Sequence, residues 1–331
     1  MKKNLESEQR ESAYMQITRK CNNACIFCSN PAFDKEIDIG EIEKRLNFYK
    51  SKGINEIVFS GGDPTESPIL IEAIALATEL GFKSKIITNG VNLFDLNYVK
   101  NLKKSGLEHL HISIHSHIDK DSDFLTSREG HLKKTIQGIT NCIKEGLNVN
   151  INTTINSVNI KYLSGFIGYL IREFPQINHY VFNNLDIGES DKNLRSRAWY
   201  HKEVIARLSE IESELSRTVK LLIDNNKTFR IERVPLCYMS GFEQFATETR
   251  KIIKEESYRC IFIEQGRDDI YMELYDPRKE RRYKGETCKS CKMSPICAGV
   301  CVEYFDLFGD SELFAIFDSP EKIISEVKEN P

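Results

Sequence analysis

Three thiols stand within eight residues in the stretch Cys21-Asn22-Asn23-Ala24-Cys25-Ile26-Phe27-Cys28, which directly follows an apolar run. A loop with the spacing Cys-x3-Cys-x2-Cys can wrap three corners of a cubane [4Fe–4S] cluster, and clusters of that kind ordinarily take four cysteine thiolates. Three thiols therefore leave one iron open for a ligand that the protein does not supply. A zinc site would need a fourth ligand nearby, and three surface thiols could also occur by chance.

The composition describes an ordinary globular protein. The chain has 331 residues, with 40% hydrophobic and 29% charged side chains, which is enough apolar mass for a large core. Its net charge is −3, so the composition gives no support for binding to nucleic acid. Residues 1–12 are almost entirely polar, and nothing downstream approaches a membrane span. With no signal peptide and with ten cysteines in tight groups, the sequence predicts metal ligation in a reducing cytoplasm rather than disulfides.

Strand-like and helix-like segments alternate through the first two thirds of the chain, which predicts a parallel sheet with outer helices. Strands are predicted over residues 13–18, 54–60, 83–88, 108–115, 148–155 and 179–183, with helices over 40–51, 66–80, 95–104, 132–145 and 160–173. Six such βα units predict an α/β fold with a partial (β/α)6 TIM-like barrel over residues 13–234. The polar tail 1–12 precedes it, and a small β-hairpin and cysteine-rich domain over 235–331 follows.

Polar motifs follow the second and third predicted strands. Sites in barrels of this kind lie at the C-terminal ends of strands, and each motif falls at such an end. Gly61, Gly62 and Asp63 precede Pro64, and paired glycines let the backbone approach a ligand closely. Residues 88–90 read Thr-Asn-Gly. A glycine turn is common, so either motif taken alone could be a simple turn.

The cysteine spacing, the aromatic residue directly before the last cysteine, and the Gly-Gly-Asp-Pro sequence one βα unit later resemble the signature of the radical SAM superfamily. The resemblance implies that the cluster held by Cys21, Cys25 and Cys28 chelates the amino and carboxylate groups of S-adenosylmethionine, the cosubstrate. Its reductive cleavage would give a 5′-deoxyadenosyl radical. The resemblance also implies cofactor contacts for Phe27, Gly61, Gly62, Asp63 (to the amino group), Thr88 and Asn89.

The fourth predicted strand carries histidines at alternate positions. Side chains alternate between the two faces of a strand, so the following residues share one face: His109, His111, Ser113, His115 and His117. A histidine zinc site is one alternative, and a polar lumen lining is the other. In the superfamily a serine here often contacts the cofactor, so Ser113 and His115 are predicted as cofactor-facing. Further candidates are Arg128, as a clamp for the carboxylate, and the polar face made by Asn150, Asn152, Thr154 and Asn183, of which Asn152 is favoured.

The pattern changes after residue 187. A polar connector over 188–197 precedes a predicted helix over 198–216 and two predicted strands over 219–223 and 229–234. A hairpin is predicted from the strand-like runs 260–264 and 270–275 with a glycine-containing loop. The basic run 278–284 reads either as a solvated hairpin end or as a dock for an acidic peptide leader. Cys142, among apolar residues of a predicted helix, is interpreted as a buried structural thiol.

Four more thiols follow with the spacing Cys-x2-Cys-x5-Cys-x3-Cys, a density that indicates zinc or an iron–sulfur cluster. The run resembles the auxiliary-cluster domains called SPASM and twitch. It departs from SPASM because no cysteine follows Cys301 and because Tyr271 stands near the place of the second hairpin cysteine. The resemblance therefore implies one auxiliary [4Fe–4S] cluster. The predicted ligands are Cys237, Cys288, Cys291 and Cys297, with Cys260 and Cys301 as spare thiols.

The resemblance implies a radical SAM oxidoreductase that abstracts hydrogen from a substrate C–H bond. Modification of a ribosomally synthesised peptide is the favoured function, and oxidation or dehydration of a small metabolite, such as a sugar or an aminoglycoside-like compound, is the alternative. A non-enzymatic zinc or iron–sulfur protein is a third possibility. Because about a dozen residues precede the first strand, we expect no fused leader-binding domain, so a peptide would need a separate recognition protein or direct docking. A flavodoxin-type or ferredoxin-type protein would supply electrons.

Overall fold

A computed structural model describes residues 13–191, 194–256, 258–262, 271–275 and 281–329. Its strands are β1 (Ala13–Thr18), β2 (Glu56–Gly61), β3 (Lys83–Thr88), β4 (His109–Ser113), β5 (Asn148–Ile155), β6 (His179–Asn184), β7 (Glu189–Asp191), β8 (Leu194–Arg195), β9 (Thr228–Glu232), β10 (Tyr258–Phe262), β11 (Tyr271–Tyr275), β12 (Arg282–Tyr283) and β13 (Val300–Cys301). Its helices are α1 (Ile39–Ser51), α2 (Leu70–Glu79), α3 (Leu96–Lys104), α4 (Asp119–Thr126), α5 (His131–Lys144), α6 (Leu163–Glu173), α7 (Leu208–Asp224), α8 (Thr247–Lys254), α9 (Val302–Phe308) and α10 (Glu321–Glu329).

One sheet of nine strands dominates the fold, in the order β11-β10-β1-β2-β3-β4-β5-β6-β9. Each neighbouring pair from β1 to β9 is parallel. The predicted α/β fold with a partial TIM-like barrel is therefore confirmed. The barrel is one strand larger than the six predicted units, because β9 adds a seventh parallel strand beside β6.

The predicted hairpin is present, since β10 and β11 pair antiparallel. Its place was not anticipated: β10 runs parallel to β1 and so extends the edge of the barrel sheet. The loop 263–270 and residues 276–280, which include part of the basic run, lie outside the described residues. The division of the chain at residue 234 remains a prediction.

Local sequence explains where the elements begin and end. Aspartates cap two helices: Asp38 accepts a hydrogen bond from the Glu41 N–H, and Asp95 accepts from the Asn97 N–H. Helix α2 ends before Gly81, whose φ of +83° few other residues adopt without strain. In β4 the apolar Leu110 and Ile112 are fully buried, while the histidines between them are half-buried on the other face. The predicted alternation in β4 is therefore confirmed.

Two predictions near the end of the barrel are wrong. Residues 219–223, predicted as a strand, belong to helix α7, and the helix predicted over 198–216 begins only at Leu208. The buried residues of α7 recur every three or four positions, which is the helical period: Leu208, Ile211, Leu215, Thr218, Val219 and Leu222. Helix α4 was not predicted. No described helix is long and apolar enough to cross a membrane.

Candidate active site

The cysteine loop leaves β1 at the C-terminal edge of the barrel sheet and is held by backbone hydrogen bonds on several sides. The N–H groups of Ala24 and Ile26 donate to the carbonyls at the end of α4, each at 3.0 Å. On another side the Asp63 N–H donates to the Lys20 carbonyl at 2.7 Å. The Arg197 N–H donates to the Cys28 carbonyl at 2.9 Å. The loop therefore has a fixed path, and α4, although absent from the prediction, supports it.

The three thiols of this loop are half-buried and are not joined in disulfides. Burial raises the pKa of Cys21 to about 12, and it also raises the pKa of Cys25 and Cys28. Cys25 lies close enough to the other two for their negative charges to raise its pKa further, and the Arg197 guanidinium opposes this rise. The raised pKa values mean that the thiolate forms of these three cysteines are unfavourable in the protein alone. A bound metal cluster would stabilise the thiolates, so the three thiols fit a cluster site.

The paired glycines pack directly on this loop. A Cβ atom at Gly61 would lie 2.0 Å from the Thr18 carbonyl oxygen, and one at Gly62 would lie 2.2 Å from the Lys20 carbonyl oxygen. Both clashes are with backbone, which cannot rotate away. The glycines are therefore required for the loop after β2 to lie against the cysteine loop, whatever contact they make with a cofactor.

The Asp63 side chain is buried at 1% exposure, and its carboxylate is fully used inside the protein. It accepts hydrogen bonds from the N–H and hydroxyl of Thr65, from the Thr88 hydroxyl at 2.9 Å, and from the Asn89 N–H at 2.7 Å. These contacts join the loops that follow β2 and β3. The predicted direct contact of Asp63 with the cofactor amino group stays a prediction, and the observed geometry favours a positioning role.

A network of side-chain amides, which the sequence does not predict, lies beside Cys21. The Asn89 amide nitrogen lies 3.7 Å from the Cys21 sulfur and donates to the Asn22 side-chain oxygen at 2.7 Å. Asn22 and Asn92 both donate to the Glu66 carboxylate, at 3.0 and 2.6 Å. The predicted residue Asn89 is therefore brought to the cysteine loop, together with three unpredicted partners.

His115 and Phe27 meet at the same edge of the sheet. The edge of one ring faces the other at a centroid distance of 4.9 Å. The His115 Nδ1 atom accepts a hydrogen bond from the Thr154 N–H at 3.1 Å, and burial lowers the pKa of His115 to about 3. His115 is therefore a neutral ring beside the cysteine loop, and its lumen-facing position stays a prediction.

Ser113 and Asn152 are paired across β4 and β5. The Asn152 side-chain oxygen is buried, and the Asn152 side chain interacts with the His111 ring. Arg128, in contrast, is exposed beyond the end of α4, where its N–H donates to the Asp123 carbonyl.

The histidine zinc site has no counterpart in the described part of the chain. His109 and His111 stack at a centroid distance of 4.9 Å near the beginning of β4, away from the cysteine loop. No group of three or more His, Cys, Asp or Glu side chains there could hold a metal ion as the side chains stand. A cubane cluster holds its thiolates farther apart than a single zinc ion holds its ligands. Thiols that could not bind one metal ion can therefore still suit a cluster. Cys142 is buried on α5, as interpreted from the sequence.

A second group of thiols surrounds one pocket near the end of the barrel. Its cysteines are Cys237, Cys288, Cys291 and Cys297. Cys237 lies in a short turn just after β9, in the segment Leu236–Tyr238, whereas the other three lie between β12 and β13. Backbone N–H groups also reach the sulfurs: Gly299 donates to Cys297 and Ile316 donates to Cys291, each at 3.3 Å. Such donors are typical of the surroundings of cluster ligands.

Cys301 lines a different pocket, together with Arg233, Arg282 and Tyr304. Burial raises its pKa to about 11, and the charged groups acting on it are acids and an arginine rather than other thiols. Cys260 lies in β10, and its side chain is outside the described part of the structure. Of the candidate ligands with described side chains, the four around the first pocket are the ones that converge.

Comparison with known proteins agrees with this geometry. The family model described as "Radical SAM superfamily" matches residues 15–165, the segment that contains the cysteine loop and the first five strands. Residues 15–165 belong to the radical SAM superfamily. The chain is therefore a radical SAM enzyme that uses a [4Fe–4S] cluster and S-adenosylmethionine, and the non-enzymatic alternative is wrong.

The relatives of this chain are named for different activities. It is 32% identical to the Fe-coproporphyrin III synthase of Methanosarcina barkeri, over 53% of this chain and 45% of the relative. It is 29% identical to the PqqA peptide cyclase of Xanthomonas euvesicatoria pv. vesicatoria, over 47% of this chain and 43% of the relative. Each of these two matches spans less than half of the relative's own length. The fold is similar to that of Streptococcus suis SuiB bound to precursor peptide SuiA, with a TM-score of 0.60 and 15% identity over 92% of this chain and 75% of SuiB.

Proposed function

We propose that this radical SAM enzyme oxidises a C–H position of a ribosomally synthesised peptide and that Cys237, Cys288, Cys291 and Cys297 hold one auxiliary [4Fe–4S] cluster. The carrying observation is the pocket in which these four thiols converge beside the end of the barrel. A cluster there would supply a one-electron acceptor for the substrate radical. Cys260 and Cys301 are left as spare thiols in this proposal.

The residues of the first site divide the remaining work. Cys21, Cys25 and Cys28 hold the first cluster, and Phe27, Ser113, His115 and Asn152 line the cavity for S-adenosylmethionine. His115 is neutral because it is buried, so it adds no charge to a lumen that must hold a cationic sulfonium. The packing of Gly61 and Gly62 and the hydrogen bonds of Asp63 fix the loops, while Thr88 and Asn89 present the third strand's end to the cofactor. Arg128 would bind the carboxylate of S-adenosylmethionine in this proposal.

A peptide substrate is supported by two relatives, a peptide cyclase and an enzyme whose structure holds a precursor peptide. A separate recognition protein or direct docking at the barrel mouth would then hold the peptide, a flavodoxin or ferredoxin would supply electrons, and the cytoplasm is the expected compartment. The second candidate is oxidation of a small metabolite. It is favoured by the 32% identity to a relative named Fe-coproporphyrin III synthase.

The radical chemistry is tested in a triple variant with Cys21, Cys25 and Cys28 replaced by Ala. After anaerobic reconstitution with iron and sulfide, we expect no 5′-deoxyadenosine from S-adenosylmethionine and dithionite, while the second metal site stays loaded. The wild-type protein is the positive control. Formation of 5′-deoxyadenosine by the triple variant would contradict the assignment of these ligands.

The auxiliary ligands are tested by counting iron in single variants made in that triple-Ala background. We expect Cys237→Ala to lose the remaining iron and the matched variant Cys301→Ala to keep it. Of these two cysteines, Cys237 lines the four-thiol pocket and Cys301 lines a different one. The reverse result would replace Cys237 by Cys301. Zinc in place of iron would remove the auxiliary cluster from the proposal.

A further inference from the structure

The segment that follows β8 lies directly against the cysteine loop. The Arg197 N–H donates to the Cys28 carbonyl at 2.9 Å. Its neighbour Ser196 is fully buried, and the Ser196 hydroxyl donates to the Asp186 carbonyl at 2.8 Å and accepts from the Ala198 N–H at 3.3 Å. The backbone of Arg197 is therefore fixed one hydrogen bond away from the last cysteine of the loop.

The Arg197 guanidinium acts on two of the three thiols. Burial raises the pKa of Cys25 and Cys28, and the positive charge of Arg197 lies close enough to both sulfurs to oppose that rise. Within the described part of the chain, no carboxylate forms an ion pair with this half-buried guanidinium. The Asp186 carboxylate, although close in the chain, contacts Arg233 at 3.4 Å.

A second guanidinium, that of Arg19, also acts on Cys28. The Arg19 side chain is 1% exposed, lies over the Phe33 ring at 4.5 Å and donates to the Pro31 carbonyl at 2.9 Å. Its charge opposes the effect of burial on the pKa of Cys28, as that of Arg197 does. An arginine keeps its charge in folded proteins, so both residues bring permanent positive charge to this end of the loop.

The other end of the cysteine loop has charges of the opposite sign. Burial raises the pKa of Cys21, and the carboxylates of Asp63 and Glu66 raise it further. The loop therefore lies in a field with a direction, negative at Cys21 and positive at Cys28. A negative charge added to the site is stabilised at the arginine end and opposed at the carboxylate end.

We propose that Arg197, together with Arg19, raises the reduction potential of the first cluster by stabilising negative charge at Cys25 and Cys28. The inference rests on the proposed ligands of that cluster. One electron enters from the external reductant, which is oxidised, and it adds one negative charge beside the two guanidiniums. Net charge is among the factors that set the potential of an iron–sulfur cluster. The arginines thus act through the thiolates and make the first electron transfer easier.

An arginine beside this site could instead hold the carboxylate of S-adenosylmethionine. The effect on the potential is favoured because Arg197 acts on Cys25 and Cys28, whereas the loops with the predicted cofactor contacts meet the cysteine loop at its other end. There the Asn89 amide nitrogen lies 3.7 Å from the Cys21 sulfur. The two roles differ in the absence of S-adenosylmethionine, where only the first would change the potential.

The test is a redox titration of the anaerobically reconstituted protein without S-adenosylmethionine, followed by electron paramagnetic resonance. The signal that changes when S-adenosylmethionine is added afterwards identifies the first cluster. Arg197→Gln keeps the backbone hydrogen bond to the loop and removes the charge. At the wild-type midpoint potential we expect its ratio of reduced to oxidised cluster to fall by about threefold or more, and Arg197→Lys to restore most of it. Arg172→Gln, at a 69% exposed position in the last turn of α6, is the matched control and should match the wild type.

Glu66→Gln tests the sign of the effect, because it removes a negative charge near Cys21. We expect its ratio of reduced to oxidised cluster to rise. An unchanged ratio in Arg197→Gln, equal ratios in Arg197→Gln and Arg197→Lys, or a fall in Glu66→Gln would overturn the inference. Weaker S-adenosylmethionine binding by Arg197→Gln at an unchanged potential would assign the carboxylate role instead.

Failure of the proposed function would look different from failure of this inference. If the wild-type protein gave no signal that responds to S-adenosylmethionine, or if the signal persisted in the triple variant of Cys21, Cys25 and Cys28, the proposed ligands of the first cluster would be wrong and both proposals would fall. A normal signal with the same potential in the wild type and Arg197→Gln would overturn only the role of the arginines.

Discussion

The Asp63 carboxylate shows how a residue singled out from the sequence can act through its neighbours. The sequence predicts that it anchors the cofactor amino group, but its oxygens face Thr65, Thr88 and the Asn89 N–H inside the protein. Several donors to one buried carboxylate make the group costly to remove, because each donor would lose its partner. The side chain therefore ties the two loops on which the cofactor would lie.

We expect Asp63→Ala to weaken S-adenosylmethionine binding by about 1.5–3 kcal/mol, the range for a hydrogen bond to a charged group. If the residue positions the loops, the free energy of unfolding should fall by a similar amount. Equilibrium dialysis and denaturant unfolding give the two quantities. Weaker binding with unchanged unfolding would instead support direct contact with the amino group, and unchanged binding would show that the carboxylate serves only the fold.

His115 makes stability depend on pH. Burial, together with the nearby His131, lowers its pKa to about 3, so the folded protein keeps the ring neutral while the unfolded chain binds a proton below its usual pKa of about 6.5. The contribution of His115 is therefore complete above pH 6.5 and is lost as the pH falls toward 3. The Nδ1 atom cannot gain a proton without losing the hydrogen bond from the Thr154 N–H.

We expect His115→Asn to reduce the slope of unfolding free energy against pH, between pH 5 and 6, by about 1.4 kcal/mol per pH unit. Asparagine keeps an acceptor for Thr154 and does not titrate. Denaturant unfolding of the metal-free protein at several pH values measures the slope. His201→Asn, at an exposed position, is the matched control. Equal slopes in the wild type and His115→Asn would contradict the buried neutral ring.

At the scale of elements, the sequence predicts a strand or helix correctly where the pattern that marks it is local. The first six barrel strands were found because apolar runs end at polar motifs and helices end at glycines such as Gly81. The strand prediction for residues 219–223 is wrong because a short apolar run, taken alone, is typical of a strand. The apolar positions of this run continue the helical spacing of α7, which begins at Leu208. The sequence prediction also missed the parallel pairing of β10 with β1, which joins residues nearly 250 positions apart and leaves no local mark.

The loop elements of the first site show the same division. The cysteines and glycines could be identified because their spacing in the chain is short. The hydrogen bonds among Asn22, Glu66 and Asn92 could not, because they join side chains 26 to 70 positions apart and follow no motif. Arg197 was missed for the same reason, since its contact with Cys28 depends on how the segment after β6 returns to the cysteine loop.

The loop after β2 gives a prediction that separates packing from cofactor contact. In Gly62→Ala the new Cβ would meet the backbone carbonyls of Lys20 and Arg19 at 2.2 and 2.5 Å. We expect a loss of about 3 kcal/mol in unfolding free energy, the upper end for overpacking, and low iron at the first site.

Gly165→Ala in α6 is the matched control, because nothing lies within 4 Å of the added atom. A helical alanine there should add up to about 1 kcal/mol. Normal iron loading in Gly62→Ala would show that the cysteine loop tolerates displacement.

At the scale of the whole molecule, the four-thiol pocket joins parts of the chain that are far apart in sequence. Cys237 follows β9, the last strand of the barrel, whereas the other three thiols lie about fifty positions later. The Tyr238 hydroxyl also donates to the Glu312 carbonyl at 2.7 Å, and the Tyr238 ring packs against Phe314. A metal cluster in this pocket would therefore couple the C-terminal segments to the barrel, because binding to a site formed only in the folded state stabilises that state.

Hydrogen exchange can measure this coupling in the reconstituted protein. In Cys237→Ala we expect the amides of residues 285–300 and 313–317 to exchange at least tenfold faster than in the wild type, because the cluster no longer links them to the end of β9. The amides of β2 to β5 should be unchanged, since local opening need not spread to the barrel. Cys301→Ala is the matched control, because that thiol lines a different pocket and its loss should leave the protection pattern intact. If Cys237→Ala and Cys301→Ala gave the same pattern, the C-terminal segments would be held by their own packing and hydrogen bonds, and the second metal site would have no part in joining them to the barrel.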